Sequence, residues 1–273
     1  MKKTLLLTIV LLITNVTYGQ WSKGKNKGYY KLSAWSLNTD QYYNNSGDII
    51  SNPSRTQFNI NAYAEYGISD KVDLIGYVPF YAKVDQGSQS VSSLGDIDLG
   101  INYGFYKKGR WAASAKLLFG LPTGNEAGGT NGSLQTGDGE FNQFLSGALG
   151  YSTQVGGFPL YAKTYFGYNN RTKDFSDELR YGLESGINLL NKKAWLIARL
   201  DVVHPLNNGN FSNPNTVPGS IFGNNVGFIG IGIEANYYIT EKIGLSLGYI
   251  GAADGRNIAA NPTVNGGIFI DIK

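Results

Sequence analysis

The 273-residue sequence contains no cysteine, one histidine and one methionine. Without cysteine there are no disulfides and no thiolate metal sites. Attachment of lipid at a processed N-terminal cysteine is excluded for the same reason. No run of about eighteen apolar residues follows the first segment, so no transmembrane helix is expected. Charge is sparse: 16% of residues are charged and the net charge is +3. That balance is too small to imply nucleic acid or an acidic partner.

The N-terminal segment reads as a processing signal. Lys2 and Lys3 precede an apolar run from Leu5 to Ile13, too short to span a bilayer as a helix. Small residues at Thr17 and Gly19 predict cleavage before Gln20, giving a signal peptide over 1–19 and one domain over 20–273. An exported chain of this kind is periplasmic, extracellular or an outer-membrane barrel. Abundant glycine (37) and tyrosine (19), with 13 Phe and 4 Trp, favours the barrel. A soluble all-β sandwich is the competing reading; it would have shorter strands and one contiguous core.

The stretch from Gly95 to Gly124 decides between them. Ile97, Leu99, Ile101, Tyr103 and Phe105 alternate with Asp96, Asp98, Gly100, Asn102 and Gly104. After Lys107-Lys108-Gly109, Trp111, Ala113, Ala115, Leu117, Phe119 and Leu121 share a face opposite Ala112, Ser114, Lys116 and Gly120. Period-2 alternation over about ten residues fits a tilted strand crossing a bilayer, lipid on one side and lumen on the other. The pattern recurs over Thr56–Gly67, Val72–Val84 (with Pro79 kinking it), Glu140–Tyr151, Phe158–Asn169, Glu178–Leu189, Ala194–His204, Asn225–Tyr238, Ile243–Gly251 and Thr263–Lys273. A strand over Gly28–Asn38 alternates too poorly for its faces to be assigned.

Five short turns alternate with six long loops, among them Tyr42–Ser54, Asp85–Leu94, Pro122–Gly139, Pro205–Gly223 and Ala252–Pro262. The expected fold is therefore all-β: an antiparallel transmembrane barrel of about 12 strands, with short periplasmic turns and long outer loops. Two short turns resemble each other in register, EYGISDKVDL (Glu65–Leu74) and NYYITEKIGL (Asn236–Leu245), as a reused hairpin. Trp111, Tyr103, Phe105, Tyr66, Tyr151 and Tyr237 read as a periplasmic aromatic girdle, and Phe80, Phe119, Phe166 and Tyr168 as an outer one.

The motifs GDIDLGINYGF (Gly95–Phe105), LLFGLPTG (Leu117–Gly124), QTGDGEFNQFLSGALGY (Gln135–Tyr151) and LYAKTYFGYN (Leu160–Asn169) resemble the "putative MetA-pathway of phenol degradation" group. Those are outer-membrane barrels related to the FadL-type transporters of hydrophobic compounds, and the resemblance covers roughly Thr56–Tyr249. It implies a barrel, transport, and an outer-membrane location in a diderm bacterium. Its partners would be outer-membrane lipid, a small solute and the barrel-assembly machinery. Two departures stand out: FadL-type proteins carry an N-terminal hatch, for which Gln20–Lys27 is too short. Barrels also often end in an aromatic residue, whereas here Ile272-Lys273 follow Phe269.

The polar faces place Glu65, Asp73, Asp98, Lys116, Glu140, Lys163, Glu178, Arg180, Glu184, Arg199, Asp201 and Glu234 inside, with Tyr63, Tyr77, Tyr161 and Tyr165. They are either a channel lining that selects a solute or a salt-bridged filling of a narrow lumen; about twelve strands accommodate both. The primary expectation is a channel or transporter for small solutes, hydrophobic or aromatic ones among them. The alternative is a structural or adhesive barrel with a plugged lumen. Acidic residues beside the Gly turns at Asp96, Asp98 and Thr136–Glu140 match no EF-hand spacing, so no metal or other cofactor is expected. A membrane lipid hydrolase would need a Ser–His pair; His204 has no accompanying serine motif, and no enzyme is expected.

Overall fold

The computed structural model describes residues 22–212 and 216–273; the leader and its cleavage point lie outside the described residues. In chain order the strands are β1 (Gly28–Tyr43), β2 (Ile49–Gly67), β3 (Val72–Gln86), β4 (Gln89–Ser93), β5 (Ile97–Lys108), β6 (Trp111–Leu121) and β7 (Asn142–Val155). Then come β8 (Phe158–Arg171), β9 (Glu178–Leu189), β10 (Ala194–Pro205), β11 (Gly227–Tyr238), β12 (Ile243–Arg256), β13 (Ile258–Ala259) and β14 (Thr263–Ile272). β4 and β13 are short additions at the outer end. The other strands form a closed, 12-stranded antiparallel barrel. Closure is made by β1, which pairs β2 on one side and β14 on the other, Gly28 opposite Ile272 and Leu37 opposite Thr263. A closed sheet leaves no backbone edge unpaired, which is the condition for a sheet in hydrocarbon.

Outside, the barrel presents apolar and aromatic side chains to lipid. Leu99, Ile101, Tyr103 and Phe105 of β5, Ile229, Ile231 and Ile233 of β11, and Leu245, Leu247 and Tyr249 of β12 are all exposed. The expected girdle residues Trp111, Tyr66, Tyr237, Phe80, Phe119, Phe166 and Tyr168 stand outward as well. Among the described residues, the compact apolar clusters lie at the outer end: Val84, Val91 and Leu134, and separately Tyr43, Val226 and Ile258.

Two local features follow directly from residue chemistry. Pro79 has no N–H to donate, and β3 carries an extra residue there: Ile60 pairs Tyr81 while Ala62 pairs Val78. The bulge reverses the parity of β3, so Leu74 points to lipid below it whereas Ala82 and Val84 are buried above it. The two similar turns are the same hairpin. Ile68 N donates to Val72 O and Ile239 N to Ile243 O, at 3.0 and 2.9 Å. In each, the hydroxyl oxygen of Ser69 or Thr240 accepts from the backbone N–H two and three residues on.

Three of the expected long loops are largely strand. β1 and β2 continue to a tight turn in which Asn44 Oδ1 accepts from Ser46 N and Asp48 N. β3 turns back into β4, and β12 runs on to Arg256 before β13 pairs β1. Above the bilayer both strand faces meet water, so hydrophobic alternation vanishes while backbone pairing continues. A reading of side-chain pattern cannot find such strands.

Candidate channel lumen and outer mouth

Parity fixes what points inward, and an ion-paired band of side chains results. Lys163 (β8) pairs Glu184 (β9) at 3.5 Å; Arg199 (β10) pairs Glu184 at 2.8 Å and Glu234 (β11) at 3.1 Å. Lys31 (β1) reaches Glu234 from the far side of the closure, at 3.3 Å. Carboxylates therefore alternate with cations around the wall.

Tyr161 and Tyr165 lie against this wall. In register they face Gly186 and Gly182 of β9, and a Cβ at either glycine would collide with the tyrosine ring. The rings occupy the space that glycine leaves, and their hydroxyls donate to Glu184 Oε1 and Asp201 Oδ1, each at 2.8 Å. These two tyrosines are thus fixed parts of the wall.

Toward the short-turn end, Lys23 enters the lumen from a strap at Ser22–Lys27. Its ammonium pairs Glu65 at 3.4 Å and lies over the Tyr29 ring, and its N–H donates to Asp73 Oδ1 at 2.8 Å. Tyr63 donates to Glu65, and Asn102 to Asp73. Lys116 stands in register between Asn102 and Ser146, within electrostatic reach of Glu65, Asp73, Lys163 and Glu184. Asp98 faces Tyr77 and Gly120 across its neighbouring strands. Phe269 also points in, fully buried and stacked on Tyr29.

Glu140 departs from its expected place. It lies before β7, in the loop, and belongs to the outer mouth. There Arg171, at the end of β8, pairs Asp138 at 2.7 Å, Glu140 at 2.8 Å and Glu178 at 3.0 Å, and stacks on the Phe175 ring. Arg180 takes the other oxygen of Glu178 at 2.6 Å. Asp96 accepts from Gly124 N and Asp138 N, pulling both ends of the 122–141 loop inward. Burial, with Glu140 and Asp96 close by, pushes the Asp138 carboxyl up to about 7 despite Arg171. Asp96 is shifted upward for the same main reason, burial. Ser133, Leu134, Gln135 and Thr136 are buried. The loop is therefore folded into the mouth, with its middle closed off from solvent.

The β10–β11 loop joins it. Ser220 Oγ donates to Gln135 Oε1 at 3.1 Å, Arg55 Nη2 donates to Gly219 O at 2.7 Å, and Val217 packs on the cluster of Val84, Val91 and Leu134. His204 is exposed at the rim of β10, on the outward face that parity assigns it.

Sequence reading missed Lys23, Lys31, Trp35 and Arg171. The strap has no periodicity to read. β1 carries small residues and hydroxyls on both faces, which hid the inward set Tyr29, Lys31, Ser33, Trp35 and Leu37. Arg171 falls in a charged loop by pattern and in a strand by backbone pairing.

No family model and no curated protein sequence matches the chain. Solved structures do. The COG4313 outer membrane channel from Pseudomonas putida F1 superposes with a TM-score of 0.65 at 15% identity, covering 94% of this chain and 100% of that one. The beta domain of the Bordetella autotransporter BrkA gives a TM-score of 0.50 at 13% identity, over 90% of this chain and 99% of that one. LpxR from Salmonella typhimurium gives 0.50 at 9%, over 89% and 99%. At these identities the likeness establishes the fold: this chain has the fold of outer-membrane β-barrels.

Proposed function

We propose that this protein is an outer-membrane channel that passes small solutes through its lumen. The observation that carries the reading is the solvent accessibility of charges that face the interior. Lys163 and Arg199 face inward yet keep 31% and 28% of their side-chain surface accessible. A lumen filled by side chains would bury them, because an ion pair in a dry interior gains less than its desolvation costs. Mixed charges along a wet wall are what a diffusion path for polar or partly polar solutes needs. The channel fold of the Pseudomonas putida protein supports this reading, and the motif resemblance to transporters of hydrophobic compounds extends it to aromatic solutes. No catalytic role is assigned, and none to His204.

The outer mouth favours a second reading. Arg171 is 6% exposed and Glu140 fully buried where the 122–141 loop folds into the mouth. A barrel plugged in this way could serve a structural or adhesive role. Planar-bilayer conductance of the refolded protein separates the two. Ohmic steps that change ion preference in Arg199→Gln support the channel. Silence from protein with normal heat-modifiable gel mobility, persisting after deletion of 124–138, refutes it.

A further inference from the structure

Charge is unevenly spread over the short turns. The β2–β3 and β11–β12 turns each set one acid beside one base, Asp70-Lys71 and Glu241-Lys242, and the β7–β8 turn carries no charge. The β5–β6 turn differs: Lys107, Lys108 and Arg110 fall within four residues. No acidic residue occurs between Asp98 and Glu126, or between Glu140 and Asp174. Strands β5 to β8 therefore bring no carboxylate to this end. Asp70, on the adjoining β2–β3 turn, is engaged by the strap and accepts from Lys25 N at 3.3 Å. We propose that this corner of the barrel holds the phosphate of an anionic glycerophospholipid, in the leaflet that meets the short turns. The proposal rests on the membrane-spanning fold and not on the channel reading.

Register puts the cations on the lipid side. Lys108 pairs Trp111 across the hairpin and Trp111 pairs Tyr151 on β7, so the three side chains share the outward face. The Trp111 side chain is exposed, and its ring centre lies 4.7 Å from that of Tyr151. Arg110 is drawn to the same face. Its Nη1 donates to Tyr151 Oη and Thr153 Oγ1, each at 3.2 Å, and its carbonyl accepts from Ser152 N at 2.9 Å. A guanidinium carries five N–H donors. Those on Nε and Nη2 make no hydrogen bond among the described residues, and neither Arg110 nor Lys108 has an ion-pair partner among them. An arginine held by hydroxyls, with an edge of N–H groups left over, matches two oxygens of a phosphate.

The surroundings select the kind of phosphate. Tryptophan and tyrosine rings settle at headgroup level, so Trp111 and Tyr151 set the two cations at the depth of a lipid phosphate. A zwitterionic headgroup would bring an ammonium against Lys107 and Lys108, whereas a glycerol headgroup brings hydroxyls. Toward the bilayer centre the wall leaves room for acyl chains. Ala113 and Ala115 follow Trp111 on the outward face, and a Cβ on Gly147, opposite Ala115, would meet nothing within 4 Å. The β9–β10 turn lacks this platform. It carries Lys192 and Lys193, but its tryptophan, Trp195, turns inward against Tyr161, with ring centres 5.5 Å apart.

Native mass spectrometry of the folded protein in detergent tests the site, with dioleoyl phosphatidylglycerol, phosphatidylethanolamine or phosphatidylcholine added singly. Phosphatidylglycerol should be retained about fivefold or more over either zwitterionic lipid. Lys108→Gln with Arg110→Gln should bring it down to the level of phosphatidylcholine. Lys192→Gln with Lys193→Gln, which removes the same charge from another turn, should leave the preference in place. Equal retention of the three lipids by the wild-type protein overturns the proposal without recourse to any variant. So does a preference that survives in the folded Lys108→Gln, Arg110→Gln protein, or one that the Lys192→Gln, Lys193→Gln protein loses equally, since the attraction would then be a general effect of charge. Excess glycerol 3-phosphate separates a lipid from a soluble phosphate. Phosphatidylglycerol retained in its presence supports the assignment; displacement would put an anion from water in the corner and overturn it.

Discussion

Arg171→Met removes the one guanidinium that joins Asp138, Glu140 and Glu178 at the outer mouth. Methionine keeps most of the stem that packs near Phe175 but supplies no charge. Glu140 is then left fully buried with no cation, while Glu178, 4% exposed, keeps only Arg180. Removing one side of a buried pair costs about 3–5 kcal/mol, because the remaining charge is stranded. The barrel strands do not depend on this contact, so the cost falls on docking of the 122–141 loop. At about 1.4 kcal/mol per tenfold, the undocked population should rise roughly a hundred- to a few-thousand-fold. Proteinase K cleavage of the loop, on protein held in lipid vesicles, follows that population when reclosing is faster than cutting. The variant should be cut correspondingly faster at pH 7.5 and should be partly protected again in acid, where the stranded carboxylates take up protons. Cleavage at the wild-type rate, with the barrel still heat-modifiable, would refute the clamp. So would a faster rate that acid leaves unchanged.

Three further outcomes follow from the geometry. The Asp138 carboxyl sits at about 7 when the loop is docked, against about 3.9 when it is free. The docked form thus binds the extra proton, and docking strengthens as pH falls through 7: roughly tenfold from pH 8 to pH 6. Amide exchange of the loop, corrected for intrinsic rates, should slow accordingly, and Asp138→Asn should abolish the trend; a faster rate in acid would count against it. Gly186→Leu places carbon where the Tyr161 ring lies; it should destabilise the barrel by about 1–3 kcal/mol, read by urea unfolding in detergent, and a neutral result would show that the ring is not pinned to the wall. Ser69→Ala and Thr240→Ala each remove a hydroxyl that caps the same hairpin, so each should cost about 1 kcal/mol by the same measurement, and the two losses should add because the turns lie on separate strand pairs.

Side-chain periodicity alone determined most of the transmembrane architecture. The bilayer forces every spanning strand to present apolar residues on one face and hydrogen-bonding or small residues on the other. Within the membrane, alternation and strand are therefore one signal, as in β5, β6 and β11, and the count of twelve followed from it. Inward assignment of Glu65, Asp73, Lys163, Glu184, Arg199 and Glu234 was legible for the same reason. Tertiary structure alone decided what those groups do to one another. Salt bridges such as Arg199–Glu234 and Lys31–Glu234 join strands whose registers are set by barrel closure, and Lys31 meets Glu234 across 203 residues of sequence. The outer mouth was equally hidden. Once strands leave the lipid, water accepts either face, polar sequence becomes compatible with loop and strand alike, and only backbone pairing places Arg171, Glu140 and Asp138 together. The inward place of Trp35 was hidden as well, on a strand whose faces its residues do not declare.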